Sequence, residues 1–224
     1  MKTFNRRSFL RMAGIAGSMA MLPRTSLAAA PRVVVIGGGF GGASVAKYLR
    51  LWGGNVNVTL VDPASAHVSC ILSNLVVTGL VGMSRITLSY QTLRTTHGVS
   101  VVQGRALSVD PPGKRVTIST AKGNQTLDYD HLVIAPGIDF VAPPGNWNPP
   151  LTPHAWQAGT QTTLLKNQLA TMRNNDRFVM TIPKSPYRCP PGPYERACMV
   201  ADYLKRMNRA GAMVVVLDAN ASIQ

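Results

Sequence analysis

The hydrophobic pattern begins with an unbroken β-branched run, Val-Val-Val-Ile, at residues 33–36. Such a run is typical of a parallel strand that is buried on both faces. A helical pattern follows from Ala43 to about Leu51, and a second apolar run covers residues 56–61. Strand, helix and strand in this order predict a βαβ unit with a parallel sheet.

Glycines fill the loop between the first strand and the helix, in the order Gly37-x-Gly39-x-x-Gly42. Gly37 permits a tight turn, Gly39 lets the backbone approach a pyrophosphate, and Gly42 lets helix and strand pack closely. The helix N-terminus then offers free N–H groups to the pyrophosphate. Asp62 ends the second strand, where a carboxylate can bind the ribose hydroxyls of an adenosine. Together these features predict a dinucleotide-binding site.

The segments that follow favour FAD over NAD as the dinucleotide. Short β-runs cover residues 99–110 and 115–127, with a turn between them, and predict a β-meander. Residues 129–137 then form a strand pattern that closes in Ala-Pro-Gly, with Pro136 and Gly137 at its end. Flavoproteins show this pattern where the chain returns to the first sheet beside FAD, and the glycine gives the backbone clearance. An ordinary buried strand is the alternative.

A second strand, helix and strand pattern lies further along the chain. Residues 178–182 and 212–218 are the predicted strands, and the helix is expected from about Tyr194 to Met207. The loop before this helix is rich in proline and carries Cys189 in place of glycines, which argues against nicotinamide binding. The predicted fold class is therefore α/β, a Rossmann-like FAD-binding domain with a parallel sheet and a β-meander insertion, followed by a truncated second Rossmann-like domain.

Composition and charge add the expected location of the protein. The chain is 46% hydrophobic over 224 residues, ample for a folded core, and its net charge is +14. The basic residues are scattered and no nucleic-acid motif accompanies them, so nucleic acid is not an expected partner. Residues 1–30 resemble a twin-arginine signal peptide, with Arg6 and Arg7 before an apolar run too short to span a bilayer. We expect a periplasmic protein with no transmembrane anchor, an FAD-binding domain at 31–150, and a linker with an incomplete second domain at 151–224.

Three cysteines are candidates for sulfur chemistry. They form no C-x-x-C pair and no zinc spacing with the four histidines, so no metal site is expected. Cys70 should lie beside the flavin, where its thiolate could attack the 8α-methyl group; a buried free cysteine is the alternative. Cys189, beside Arg188 on a rigid loop near a helix N-terminus, should be reactive, unless it is an incidental thiol of a constrained loop. Cys198 falls inside the predicted helix and is expected in the core.

Three further residues, His67, His154 and Trp156, are weaker candidates to line the flavin site. His67 could equally cap a turn, and His154 could equally be a hydrogen-bonded histidine of a linker.

Several motifs resemble the flavin-binding subunit of flavocytochrome c sulfide dehydrogenase, in the FAD-dependent pyridine nucleotide-disulfide oxidoreductase-like superfamily. The resemblance covers the whole chain, and its most specific motif is Arg-Cys-Pro-Pro-Gly-Pro-Tyr-Glu-Arg-Ala at residues 188–197. The others are Ser-Cys-x-x-Ser-Asn at 69–74, Ala-Pro-Gly-Ile-Asp at 135–139 and Pro-His-Ala-Trp-x-Ala-Gly at 153–159. Asp62 departs from the family pattern, in which glutamate is commoner.

The resemblance implies an enzyme that oxidises sulfide. FAD would be held by a thioether to Cys70, and Cys189 would be half of a redox-active disulfide against the flavin. Sulfide would attack that disulfide to form a persulfide, and two electrons would pass to FAD and then singly to haem in a separate c-type cytochrome subunit. The resemblance also implies that the partner cysteine and the rest of the second domain lie beyond residue 224.

Two other interpretations remain open. A sulfide:quinone oxidoreductase or an NADH-linked disulfide reductase would use a different electron partner. The missing second glycine motif opposes NADH, and no amphipathic C-terminal helix supports quinone access. The remaining interpretation is a truncated, non-catalytic fragment that binds flavin.

Overall fold

A parallel sheet forms the first half of the computed structural model, which describes residues 29–142 and 145–223. The strand order is β5-β2-β1-β9, with all neighbours parallel. The four strands are β1 (Arg32–Ile36), β2 (Asn57–Asp62), β5 (Ser100–Gln103) and β9 (His131–Ile134). Val33, Val34 and Val35 are at most 3% exposed, because β1 is central in the sheet and covered on both faces.

Helix α1 (Phe40–Trp52) connects β1 to β2 and begins earlier than the predicted Ala43. Gly39 is its N-cap residue, so Gly41 and Gly42 lie within its first turn. The helix N-terminus therefore reaches the glycine turn itself.

Smaller elements connect β2 to β9. Those after β2 are β3 (Ala66–Val68), α2 (Ser73–Val77), a 3-10 turn (Met83–Ile86), β4 (Thr87–Ser89) and α3 (Gln91–Thr95). The antiparallel meander predicted between β5 and β9 is present as β6 (Arg105–Asp110), β7 (Arg115–Thr120) and β8 (Gly123–Asp128).

A second βαβ unit follows helix α4 (Thr160–Thr171). It consists of β10 (Arg177–Ile182), α5 (Gly192–Arg206) and β11 (Met213–Asp218). β10 and β11 are parallel, with Ile182 paired to Asp218 at their carboxyl ends. The predicted α/β fold class, with two Rossmann-like units and a meander, is confirmed.

A hydrophobic cluster joins α2 to the second unit. It contains Val77 of α2, Leu165 and Leu169 of α4, and Val200 and Leu204 of α5. The short helix after Cys70 is thereby packed against the helix that follows Cys189.

The prediction that Cys198 lies in the core is wrong, although the residue is in α5 as expected. Its thiol is exposed. The buried positions of this helix include Arg196, Val200, Tyr203 and Leu204, which recur at the three- and four-residue spacing of one helix face. Position 198 falls on the opposite face, and an arginine takes the core position instead.

The twin-arginine motif and the apolar run of the expected signal peptide lie outside the described residues. Within residues 29–142 and 145–223, no helix is long and apolar enough to cross a membrane.

Candidate functional site

The glycine turn between β1 and α1 is shaped by contacts that admit no side chain. Gly37 has φ +96°, and a Cβ there would lie 2.0 Å from the carbonyl oxygen of Ala135. A Cβ on Gly42 would lie 1.8 Å from the carbonyl oxygen of Gly37. Gly39 differs, because the nearest atom to its Cβ position is His67 Cε1 at 3.8 Å. The turn is closed at Gly37 and Gly42 and open at Gly39, as close approach of a ligand to the backbone requires.

Asp62 closes the turn from the end of β2. One carboxylate oxygen accepts a hydrogen bond from the Gly38 N–H at 2.6 Å, and the other accepts one from the Ala64 N–H at 2.8 Å. Asp62 is half-buried. The predicted acid therefore lies against the predicted glycines, where a ribose beside the turn would reach it.

Two buried polar atoms beside the turn have no hydrogen-bond partner in the described part of the chain: the Tyr90 hydroxyl and His67 Nε2. Tyr90 is 3% exposed, and its hydroxyl lies 2.3 Å from the Cβ position of Gly38. Burial, and next the Asp62 carboxylate, raise the pKa of Tyr90 to about 12, so the hydroxyl keeps its proton at neutral pH. Unpaired buried polar groups are rare in proteins, and both of these fit a polar ligand held at the turn.

An open cavity of about 310 Å³ continues from the carboxyl ends of β2 and β5. It is lined in part by Pro63, the residue after Asp62, and by Gln103, Gly104 and Arg105. The cavity begins at the residue after Asp62, and this position fits the adenosine end of a dinucleotide.

The residues that follow the return strand β9 lie against the turn. Pro136 N is 3.2 Å from the Cβ position of Gly37, and Gly137, with φ +83°, has open space at its own Cβ position. Gly37, Gly42, Asp62 and Pro136 are thus brought together, with Gly137 beside them. These residues fit a bound dinucleotide.

Cys70 lies on an exposed turn that leads into α2. Its carbonyl oxygen accepts a hydrogen bond from the Ser73 N–H at 3.1 Å. Ser69, Ser73 and Asn74 around it are buried. The thiol is therefore presented to the surface by a well-anchored segment.

A buried guanidinium connects this segment to the second unit. Arg196 is 3% exposed and donates to Asn74 Oδ1 at 2.9 Å and to the carbonyl oxygens of His154 and Ala155, both at 2.7 Å. Its carbon Cζ lies 3.4 Å from the ring centroid of Trp156. Burial lowers the pKa of Arg196 to about 10, so it remains charged at neutral pH. Arg196 was not predicted, and only its spacing from Val200 could have indicated a core position.

Cys189 lies just before α5, in a left-handed conformation with φ +54°. Its carbonyl oxygen accepts a hydrogen bond from the Gly192 N–H at 2.9 Å. Its sulfur is 3.0 Å from the Cβ position of Gly192, and Trp156 Cζ3 is 3.5 Å from the same point. The thiol is exposed and lies near the ring on which Arg196 stacks.

His154 belongs to the same network. Its ring stacks on Phe140, with centroids 4.1 Å apart, and its Nδ1 accepts a hydrogen bond from the Trp156 N–H at 3.1 Å. Burial, and next the Arg196 charge, lower the pKa of His154, which favours the neutral ring.

All three cysteines belong to the described residues and are free thiols. Cys70 and Cys189 are connected through Asn74 and Arg196 rather than by a bond to each other. Among residues 29–142 and 145–223, no group of three or more His, Cys, Asp or Glu side chains could hold a metal ion.

Two protein families match the chain. The pyridine nucleotide-disulphide oxidoreductase family matches residues 31–173, which contain the glycine turn, Asp62 and Cys70. The central region of the sulfide dehydrogenase [flavocytochrome c] flavoprotein chain matches residues 162–224, which contain Cys189 and Arg196.

Individual proteins are also similar to parts of the chain. The sulfide dehydrogenase [flavocytochrome c] flavoprotein chain of Chlorobaculum thiosulfatiphilum is 62% identical over 45 residues, 20% of this chain and 94% of that sequence. Ferroptosis suppressor protein 1 of Taeniopygia guttata is 37% identical over 127 residues, which are 56% of this chain and 31% of that protein. The chain thus spans about a third of the length of that longer relative.

A solved structure supports the fold. The sulfide:quinone oxidoreductase of Aquifex aeolicus aligns with a TM-score of 0.64 at 24% identity, over 84% of this chain and 43% of that one. The family match covers more than half of the chain and includes the whole dinucleotide turn. The chain belongs to the pyridine nucleotide-disulphide oxidoreductase family.

Proposed function

We propose that this chain binds FAD and is the flavoprotein part of a periplasmic sulfide dehydrogenase that passes electrons to a c-type cytochrome subunit. One observation carries the proposal: the first βαβ unit has a complete glycine turn, whereas the second has Cys189 at the corresponding loop. A dinucleotide site and a thiol thus take equivalent places in the two units.

The first unit supplies the cofactor site. The N–H groups at the start of α1 would hold the pyrophosphate of FAD, and Asp62 would accept hydrogen bonds from the ribose of its adenosine. The unpaired Tyr90 hydroxyl and His67 Nε2 are available to the same ligand. When bound, FAD supplies a two-electron acceptor that can release electrons one at a time.

Cys70 is the proposed point of covalent attachment. The thiol is exposed on a turn whose neighbours are buried, so it can reach a ligand without unfolding of α2. The Ser-Cys-x-x-Ser-Asn motif at residues 69–74 supports carrying this family property over to Cys70.

Cys189 is the proposed site of reaction with sulfide. In a disulfide that contains Cys189, hydrosulfide would attack one sulfur, the S–S bond would break, and the other sulfur would leave as a thiolate. The product is a persulfide, which in the next step yields zero-valent sulfur. Oxidation of HS⁻ to that level releases two electrons and one proton, with the electrons accepted by FAD and then by c-type haem in the partner subunit.

The cofactor part of the proposal is tested on the purified chain. We expect FAD to stay with the protein after acid precipitation, and Cys70→Ser to release it into the supernatant. Cys198→Ser is the matched control, because Cys198 is also exposed, and it should retain the flavin. Free FAD from the unmodified chain, or equal retention by Cys70→Ser, would contradict the attachment.

The sulfur part is tested by converting the thiols to mixed disulfides with an aryl disulfide and adding sulfide. Displacement of the aryl thiolate should leave a persulfide on Cys189, read by peptide mass spectrometry, and form faster there than on Cys198 of the same molecule. Equal rates at the two cysteines would count against a special role for Cys189. Electron acceptors can be compared in the same preparation. If sulfide reduces a short-chain quinone in preference to a c-type cytochrome, the proposed electron acceptor is wrong.

A further inference from the structure

The two βαβ units end their second strand in the same way. Asp62 is the last residue of β2 and Asp218 is the last residue of β11. In both, one carboxylate oxygen accepts a hydrogen bond from the N–H two residues further on, from Ala64 at 2.8 Å and from Asn220 at 2.9 Å. The two aspartates therefore occupy equivalent positions in equivalent turns.

The partner of the other carboxylate oxygen differs between the units. In the first unit it is the backbone N–H of Gly38, in the glycine turn. In the second unit it is the side-chain hydroxyl of Tyr194, the third residue of α5. The side-chain amide of Asn220 donates a further hydrogen bond to Asp218, at 2.8 Å. The Tyr194 hydroxyl of the second unit thus donates the hydrogen bond that the Gly38 N–H donates in the first unit.

The start of α5 also offers few backbone donors to a phosphate. Pro191 and Pro193 carry no N–H, and the Gly192 N–H is bonded to the carbonyl oxygen of Cys189 at 2.9 Å. The corresponding residues of α1, from Gly39 onward, contain no proline. The second unit has the strands and helix of a nucleotide-binding unit without its anion site.

The same contacts fix Cys189. Gly192 holds the Cys189 carbonyl oxygen, and its missing Cβ leaves room for the Cys189 sulfur at 3.0 Å from that position. Tyr194 lies two residues further along the same helical turn, so the bond to Asp218 ties this turn to the end of β11.

We propose that Tyr194 and Asp218 are positioning residues for Cys189, and that the Tyr194 side chain, hydrogen-bonded to Asp218, takes the place that a ribose would have in a nucleotide-binding unit. The second unit thereby presents a thiol where a nicotinamide dinucleotide would otherwise bind. The role of Cys189 in this inference rests on the proposed function.

The test is the alkylation rate of Cys189 in the full FAD-loaded chain, measured with iodoacetamide and peptide mass spectrometry. Loss of this part-buried hydrogen bond should shift the loop population about fivefold, so Tyr194→Phe and Asp218→Asn should each slow alkylation of Cys189 about fivefold. Cys198, exposed in the same helix, is the internal control and should change less than about twofold on the same scale. Tyr187→Phe is the matched variant, because its hydroxyl makes only a 3.4 Å contact with the Pro190 carbonyl oxygen, and it should behave as the unmodified chain.

A Cys189 rate that is unchanged or faster in both variants would overturn the positioning role. A second measurement needs no variant: the FAD-loaded chain, titrated with NADH and NADPH by ligand-observed NMR, should show no saturable binding. Saturable binding of either would overturn the closed second site. Neither result depends on sulfide chemistry, so failure of the proposed function would appear separately, in the persulfide and flavin-retention experiments.

Discussion

Replacement of Arg196 by methionine tests whether one buried guanidinium holds the two cysteine-bearing segments together. Methionine keeps an unbranched apolar side chain against Trp156 but removes all three hydrogen bonds. Three acceptors then lose a charged donor: Asn74 Oδ1 and the carbonyl oxygens of His154 and Ala155. An orphaned buried acceptor costs about 1–3 kcal/mol, which gives roughly 3–9 kcal/mol if water does not reach the three.

Relief of the buried charge offsets part of this cost. Burial lowers the pKa of Arg196 from 12.5 to about 10, which corresponds to about 3 kcal/mol of desolvation at about 1.4 kcal/mol per pKa unit. The middle of the range for the three acceptors is about 6 kcal/mol. Subtracting the desolvation gain leaves a decrease of about 3 kcal/mol in the free energy of unfolding. For a domain of this size we expect a fall in Tm of roughly 6–12 °C.

The assay is thermal and urea unfolding followed by circular dichroism, on the FAD-loaded chain. Arg188→Met is the control, because Arg188 is exposed, and it should change the free energy of unfolding by less than about 0.5 kcal/mol. Arg196→Lys keeps the charge but not the planar fork, so it should also be destabilised. An Arg196→Met variant as stable as Arg188→Met would refute the reasoning.

Three further predictions concern the glycine turn and the parallel sheet of the first half of the chain. Tyr90→Phe removes a hydroxyl that has no close hydrogen-bond partner among the described residues and interacts with the Asp62 carboxylate, so it should change the stability of the FAD-free chain by less than about 1 kcal/mol and weaken FAD binding about fivefold or more, as measured by unfolding and by FAD titration; unchanged FAD affinity would contradict the ligand role. Gly42→Ala places a Cβ 1.8 Å from the Gly37 carbonyl oxygen and should abolish FAD binding, whereas Gly82→Ala, whose nearest atom is a serine hydroxyl at 3.6 Å, should retain it. Hydrogen bonds from Arg32 lower the pKa of Asp130 from 3.8 to about 2, so its contribution to stability is complete above about pH 4 and is lost as the pH falls towards 2. Asp130→Asn should be less stable at pH 6 and lose less stability than the unmodified chain across that window in an acid unfolding series.

The first βαβ unit was predictable because its pattern is local. The β-branched run, the glycine spacing and Asp62 lie within about 30 residues, the length of one such unit, and each acts on its immediate neighbours. The return strand and the meander were predictable for the same reason. The helix boundary at Phe40 was missed because the glycines of the turn favour no helix, and only packing against β1 makes them helical.

The residues that sequence reasoning missed depend on contacts between distant segments. From the sequence, Arg196 is expected on the surface of an amphipathic helix. Its burial depends on hydrogen bonds to Asn74, 122 positions away, and to the loop at His154. Tyr90 lies in a short polar stretch, and its position over Gly38 depends on the fold of the β3–β4 insertion. Cys198 has apolar neighbours in the sequence, but the 3.6-residue period puts it on the helix face opposite Arg196 and Val200.

The contact between Gly37 and the Ala135 carbonyl oxygen has a consequence for biosynthesis. The tight end of the turn is completed by a strand about 100 residues later in the chain, so closure of this pair is a long-range event in folding. When only β1, α1 and β2 have been synthesised, the glycines are present but Ala135 and Pro136, which lie against Gly37, are not. The turn of the proposed FAD site is therefore complete only after residue 135 has been made, and we expect substitutions in β9 to delay FAD binding during refolding even where the turn itself is unchanged.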